Sequence, residues 1–513
     1  MTTFDPRSPL AAAPDPWDEL PTPAVRSGPP FHMTDMIAAE PYLAERILDR
    51  LGDPQGPAGR VAGAIGQAAS SGASIVVTGC GTSEHAAQAV VEILREGLRA
   101  GGLPSGPTTI LSAQAFELAL DPPTGGLVIG ISHEGGTAAT IQALEAAAAA
   151  GARTAVITGS AGSPAGAAAS PDMVVETVEM DHGWCHTVGY LSPILAGAAI
   201  ADELAGRTVD AAIVRDLLLS GAADEAGAEA IAAVLAECAH VITIASGADR
   251  PAARELALKI EEAAWLPTTM RDLETFLHGH LPAMDSTTGL VLLLTDRADR
   301  AVRVARARQA LAAAKAVGIR AAAIIGRDVH GQLDADLTPA GRLRVDEAKA
   351  LPSPLAALLG TATPLQLLTE RIARARGTNP DLIRRDDPTY VAAASGRRLE
   401  QRLGHQVDHV EIARQEVLEH DPLGASRLEP RDHRPCLLRR PEHPARPARA
   451  EPGLAAGFVA EGRQERRLPT GELRLVPADQ DAGHHRSAHR VRVAPDRLAC
   501  RPQLGELGLG GLG

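Results

Sequence analysis

The chain has 513 residues, room for roughly three domains at ~150 residues each. Its formal net charge of -13 at pH 7 argues against nucleic acid or an anionic membrane as partner. Aromatics are 2% of residues and the five cysteines are scattered, so the cores are aliphatic, no disulfide framework or zinc site is expected, and a reducing cytosol fits.

No basic n-region with an apolar run opens the chain, and no apolar stretch reaches the ~20 residues of a membrane span. Residues 1–32 are rich in Pro, Ala and Asp without periodicity and read as a disordered or extended leader. A helical pattern opens at Phe31 and continues through Leu43, Ile47 and Leu51. Ser74 to Thr78 is a β-branched apolar run suited to a buried strand. It stops at Gly79-Cys80-Gly81-Thr82-Ser83, after which Ala86, Val90, Val91, Ile93 and Leu94 recur at helical spacing. A short strand is expected near Thr108 to Leu111, and a stronger one at Gly126 to Ile131. The latter ends in Ser132-His133-Glu134-Gly135-Gly136-Thr137 before an Ala-rich helix. Strands at Arg153 to Thr158 and Asp172 to Val178 and a helix from about Tyr190 complete a first unit.

The pattern then restarts. Strands at His240 to Ala245, Gly289 to Leu294 and Arg320 to Ile325 alternate with helices at Ala252 to Trp265, Ala298 to Val317 and Pro354 to Ala375. Alternation of this kind implies an α/β fold of two tandem doubly wound parallel-sheet domains, placed at 33–217 and 218–394. The similar order points to an internal duplication. Residues 395–513 are rich in Arg, Pro, His and Gly, with only a short apolar pattern at Val407 to Leu418. They read as a disordered tail or as an out-of-frame product of a GC-rich gene. His484, His485 and His489 lie there without a packed scaffold, so no metal site is assigned.

Ligands of open α/β sheets bind beyond the carboxyl ends of the strands. The loops at Gly79 to Ser83 and Ser132 to Thr137 belong at that edge. They offer the hydroxyls of Thr82, Ser83, Ser132 and Thr137 and the backbone N–H groups of helix starts, with no Lys or Arg. The expected cradle is therefore neutral and suited to an anion. An NAD-binding fingerprint is disfavoured, because Gly79-x-Gly81 lacks the third glycine. In the second unit Glu255, Lys259 and Glu262 fall at i, i+4, i+7 and share one helix face. A solvated salt-bridged stripe is the plain alternative to a catalytic face.

Gly79-Cys80-Gly81-Thr82-Ser83 followed by Ile131-Ser132-x-x-Gly135-x-Thr137 resembles the sugar isomerase (SIS) domain, a flavodoxin-like fold. The pairing of two such units is similar to the isomerase half of glucosamine-6-phosphate synthase, over roughly Met33 to Pro388. The resemblance implies that Cys80, Gly81, Thr82, Ser83, Ser132, His133, Thr137, Cys185 and Thr187 bind the substrate. It further implies Glu262 as the base moving a proton between C1 and C2, its basicity raised by an apolar wall. Glu255 and Lys259 would position that base, and His278 would assist ring opening, reaching into a neighbouring subunit. The implied ligand is a sugar phosphate or amino sugar, with no cofactor or metal, acting in a cytoplasmic homodimer.

Three departures bear on this reading. The chain starts Met1-Thr2-Thr3, without the family's glutaminase nucleophile, so glutamine-dependent amination is not expected. Glu134 puts a carboxylate in the phosphate loop, where it repels a phosphate at close range. The family's imine-forming C-terminal lysine has no counterpart, and Arg384-Arg385 stands in that region, unable to form a Schiff base. The expected function is an isomerase or deaminating isomerase for a hexose or hexosamine phosphate. The alternative is a non-catalytic carbohydrate sensor or regulatory subunit.

Overall fold

A computed structural model of the protein describes residues 4–13, 17 and 25–393. The expected tail, with its apolar stretch and histidines, lies outside the described residues.

Two helices precede the first sheet, α1 (His32–Leu51) and α2 (Pro57–Ser71). The first unit then runs β1 (Ile75–Gly79), α3 (Thr82–Ala100), β2 (Ile110–Gln114), α4 (Ala115–Leu120), β3 (Leu127–Ser132) and α5 (Ala138–Ala149). It continues with β4 (Arg153–Thr158), α6 (Pro164–Ala168), β5 (Val174–Glu176) and α7 (Val188–Ala205). Two connecting helices follow, α8 (Ala211–Gly221) and α9 (Glu225–Leu235). The boundary placed between residues 217 and 218 falls inside α8. The second unit comprises β6 (His240–Ala245), α10 (Asp249–Ala264), β7 (Thr268–Asp272), β8 (Thr288–Leu294), a helix Arg300–Ala316, β9 (Arg320–Gly326), β10 (Gly341–Val345) and a long helix Ser353–Arg376.

Each sheet has five strands, all parallel, in the orders β2-β1-β3-β4-β5 and β7-β6-β8-β9-β10. The two orders are the same, as duplication requires. Alternation along the strands explains the layers. Ile75 and Val77 of β1 face one core and Val76 the opposite one; Val291 and Leu293 of β8 likewise oppose Leu290, Leu292 and Leu294. The inner core is shared by both units. Val90 and Leu94 of α3, Ile194 of α7, Ile260 of α10 and Leu365 of the long helix all belong to it. That shared core holds α10 of the second unit against α3 of the first, and this contact builds the site.

α7 is eighteen residues long and apolar enough to span a membrane by length and composition. Its side chains are instead buried in the shared core, which accounts for its hydropathy.

Part of the expected leader is packed. Leu10 is buried, its N–H donates to Glu179 Oε2 at 3.0 Å, and Ala12 bridges to Glu179 in antiparallel fashion. The missed signal is a single apolar residue flanked by chain too polar to show periodicity. At the start of α1, Asp381 accepts from the N–H groups of His32 (2.8 Å) and Met33 (3.0 Å). A carboxylate so placed satisfies orphan donors and complements the helix dipole.

Candidate functional site

The first loop is tight. A Cβ on Gly79 would lie 2.6 Å from the Ser83 carbonyl carbon and oxygen, and Gly81 sits at φ 58°. This turn exposes Gly81, leaves Cys80 and Ser83 half-buried, and starts α3 at Thr82. Burial pushes the Cys80 thiol up, so it stays protonated.

From the other unit, α10 lays its polar face on that turn. Lys259 Nζ donates to Thr82 Oγ1 at 2.9 Å and to Glu262 Oε2 at 2.7 Å. Glu255 accepts from Thr82 Oγ1 at 3.2 Å, pairs with His85 Nδ1 at 2.8 Å, and lies 3.5 Å from Lys259 Nζ. Glu255 and Lys259 are buried, while the Glu262 side chain keeps 25% of its surface. Burial alone would push Lys259 down, yet Glu262 and Glu255 hold it well above its ordinary value. Burial alone would push Glu255 up, yet Lys259 and His85 keep it below the usual carboxylate range. The face is therefore a buried ion network, not a solvated stripe.

Two expectations change here. The cradle is not neutral, because Lys259 brings an ammonium to the Thr82 hydroxyl. Glu262 is paired rather than isolated. Its polar partners among the described residues are that ammonium and the Cys185 thiol, which donates at 3.8 Å. Cys185 is itself buried, and burial pushes its thiol well up.

The second loop is as constrained. Gly135 sits at φ 74°, and a Cβ there would meet Ser163 Oγ at 2.1 Å. Thr137, exposed, is the N-cap residue of α5. Ser132 Oγ is buried without a hydrogen-bond partner among the described residues. Burial of that kind is costly unless something else supplies the bond. His133 does not face the cradle. It is buried beside Asp181, 3.4 Å from both the Asp181 N–H and Oδ2, and burial pushes it down to about 4.

Asp181 holds the start of α7, accepting from the N–H groups of Thr187 (3.0 Å), Val188 (3.1 Å) and Gly189 (2.8 Å). Burial works against its charge, but His186, His133 and these N–H groups keep it below the usual range. Thr187 Oγ1 also donates to Asp181 Oδ1 at 3.0 Å and is fully buried, so this hydroxyl braces the segment.

Glu134 does not stand alone in the loop. It pairs with His186 Nε2 at 3.2 Å. Burial raises Glu134, but His186, His133 and Arg385 together more than reverse this, and Glu134 and Asp181 in turn lift His186 above its ordinary value against burial. The charge expected to repel a phosphate is thus locally matched. Arg385, stacked 3.5 Å over the Trp184 ring centroid, adds a further positive charge that favours ionised Glu134. His278 is not drawn into the cluster. It occupies an exposed kink beside Gly279 (φ 98°) and bonds Glu274 at 2.7 Å.

His85, Asp181, His186 and Arg385 were absent from the expected site. His186 had a signal, its place between Cys185 and Thr187. The others depend on contacts that spacing does not encode.

The second unit's equivalent edge is filled from within. Asp249, at the start of α10, accepts from the N–H groups of Thr295 (2.8 Å) and Asp296 (3.0 Å) after β8. Asp296 in turn accepts from Ala248 N–H at 3.1 Å and pairs with Arg303. Internal carboxylates thus accept from these N–H groups at the edge of the second unit.

No family model matches the chain. Over 240 residues it is 29% identical to glutamine–fructose-6-phosphate aminotransferase [isomerizing] of Halobacterium salinarum, covering 44% of this chain and 39% of that protein. The chain thus matches well under half the length of that relative. Among solved structures, the C-terminal domain of glucosamine-fructose-6-phosphate aminotransferase from Francisella tularensis aligns with a TM-score of 0.59 at 18% identity, covering 70% of this chain and 99% of that one. Tagatose-6-phosphate ketose/aldose isomerase from Escherichia coli aligns with a TM-score of 0.54 at 17% identity, covering 70% and 97%. The two tandem parallel-sheet units of this chain thus share the fold of the C-terminal domain of that aminotransferase.

Proposed function

We propose that the protein is a sugar-phosphate isomerase, acting on a hexose or hexosamine phosphate by proton transfer between C1 and C2. The reading is carried by one observation, the network in which Lys259 joins Thr82 of the first cradle to Glu262 of α10. It sets a partly exposed carboxylate beside a loop suited to an anion.

In this reading Ser132 Oγ, Ser83 and the N–H groups opening α5 hold the phosphate. Glu262 removes a proton from the carbon next to the carbonyl and returns it to the neighbouring carbon through an enediol. Lys259 fixes the rotamer of Glu262 and, by its charge, favours the developing enediolate. Glu255 and His85 hold Lys259. The similarity to an isomerizing aminotransferase and the shared fold of a ketose/aldose isomerase agree with this chemistry.

The test is solvent exchange in deuterated buffer, with fructose 6-phosphate and glucosamine 6-phosphate as probes. Deuterium entering at C1 of the ketose or C2 of the amino sugar, and lost in Glu262→Gln, supports the reading. Saturable binding of either probe without exchange would identify a sensor instead.

A further inference from the structure

The Ser132 to Thr137 loop has a neighbour from the start of the chain. A Cβ placed on Gly136 would stand 3.4 Å from Trp17 Cη2 and 3.5 Å from Trp17 Cζ2. Placed on Gly162, in the loop after β4, it would stand 3.4 Å from the Trp17 backbone nitrogen and 3.7 Å from the Trp17 Cβ. Trp17 therefore lies against both loops at the carboxyl edge of the first sheet. Cζ2 and Cη2 belong to the indole edge that also carries Nε1, so the edge turned to Gly136 is the one with the donor. Nε1 is buried and has no hydrogen-bond partner among the described residues. An indole N–H can only donate, and a buried one usually finds an acceptor. Ser132 Oγ, in the same loop, is buried and unmet as well. Two polar groups without partners thus border one loop, and an oxyanion seated there would accept from both.

The segment preceding Trp17 is anchored. Leu10 is buried in the shared core and Phe4 packs against it. The Leu10 N–H donates to Glu179 Oε2 at 3.0 Å, and the Ala11 N–H donates to His182 Nε2 at 3.5 Å. Glu179 and His182 belong to the stretch that leads into Cys185 to Thr187. The start of the chain thereby touches the candidate site from two sides, the Ser132 to Thr137 loop through Trp17 and the 179–187 stretch through Leu10 and Ala11.

Resting on the isomerase reading, we propose that Trp17 is a ligand-binding residue, its indole N–H donating to the phosphate of a sugar phosphate held by the Ser132 to Thr137 loop. The loop itself has no Lys or Arg, and the indole adds a neutral donor with a fixed direction. The chain's own N-terminal segment thus completes the anion subsite, and the benzo ring forms one of its walls.

The experiment is calorimetric titration of the whole protein, Trp17→Phe and Trp17→Ala with fructose 6-phosphate, fructose and inorganic phosphate. Trp17→Phe keeps an aromatic ring and removes the donor. The expected result is about 10-fold weaker binding of fructose 6-phosphate by both variants, the scale of a hydrogen bond to a charged group, with fructose unaffected. Unmodified affinity in Trp17→Phe with a loss in Trp17→Ala would leave only ring packing and overturn the donor. A loss confined to inorganic phosphate would mark a free-anion site and overturn the assignment to the sugar phosphate. Should the variants not fold, the indole N–H resonance of Trp17 in the unmodified protein decides, identified by elimination with Trp184→Phe and Trp265→Phe. It must move downfield on adding fructose 6-phosphate and stay in place with fructose, and a resonance unmoved by either overturns the proposal. If the unmodified protein binds none of the probes, the proposal falls together with the reading it rests on. If binding depends on Trp17 but no deuterium exchanges, the isomerase reading falls and the donor stands.

Discussion

Lys259 Nζ lies 2.9 Å from Thr82 Oγ1, although 177 residues separate them in sequence. The ammonium of one duplicated unit thereby rests on the hydroxyl that opens the first helix of the other. The shared core, in which α3 packs against α10, fixes that meeting.

Lys259→Met should be severely destabilising. It would leave Glu255 fully buried with only His85 and a hydroxyl as partners. Breaking a buried pair from one side typically costs roughly 3–5 kcal/mol. Urea unfolding measures this, and a loss under about 1 kcal/mol would contradict the network.

Glu262→Gln should separate stability from chemistry. Its side chain is partly exposed and keeps a polar atom near Lys259. The loss of stability is expected to be smaller than that of Lys259→Met, because Lys259 keeps Glu255 and Thr82 as partners. Exchange should fall at least about 100-fold, the range for losing a general base. Unchanged exchange would remove Glu262 from that role.

The two facing histidines should give opposite pH slopes. His133 is pushed down from 6.5 to about 4, so the unfolded state binds more protons between those values. Its contribution is lost as pH falls through that window, by on the order of 3 kcal/mol. His186 is raised, so its contribution is full below 6.5 and is lost as pH rises through its folded value. His133→Gln should flatten stability below pH 6.5, and His186→Gln above it. Urea unfolding from pH 4 to 8.5 reads both, and parallel slopes for the two variants would contradict the assignment.

Asp381→Ala should cost about 1–2 kcal/mol, the range for a lost helix cap. It removes the acceptor for the His32 and Met33 N–H groups. Denaturant unfolding checks this, and an effect under about 0.3 kcal/mol would show that water replaces the cap without loss.

The architecture was legible because central strands of a parallel sheet read as plain apolar runs. Arg153–Thr158 and His240–Ala245 stand where the pattern put them. The edge strands of the second sheet were not, although those of the first sheet were placed near Thr108 to Leu111 and Asp172 to Val178. Thr268–Asp272 reads TTMRD and Gly341–Val345 reads GRLRV, half-solvated and too polar to stand out. Pro57–Ser71 was missed because its Ala and Gly blur helical periodicity. In the site, the i, i+4, i+7 face of α10 was visible, but not what it would touch. A loop without Lys or Arg looked neutral because its cation comes from a helix far along the chain. Glu134 looked like a defect because its partner, His186, lies on another loop.

The central claim is that the Gly79 to Ser83 and Ser132 to Thr137 loops hold a sugar phosphate within reach of Glu262. A crystal structure with fructose 6-phosphate bound tests it most directly. The account predicts the phosphate on Ser132 Oγ and the N–H groups opening α5, with C1 and C2 within proton-transfer distance of Glu262. A ligand seated elsewhere, with this mouth filled by side chains and Glu262 turned to bulk water, would contradict it.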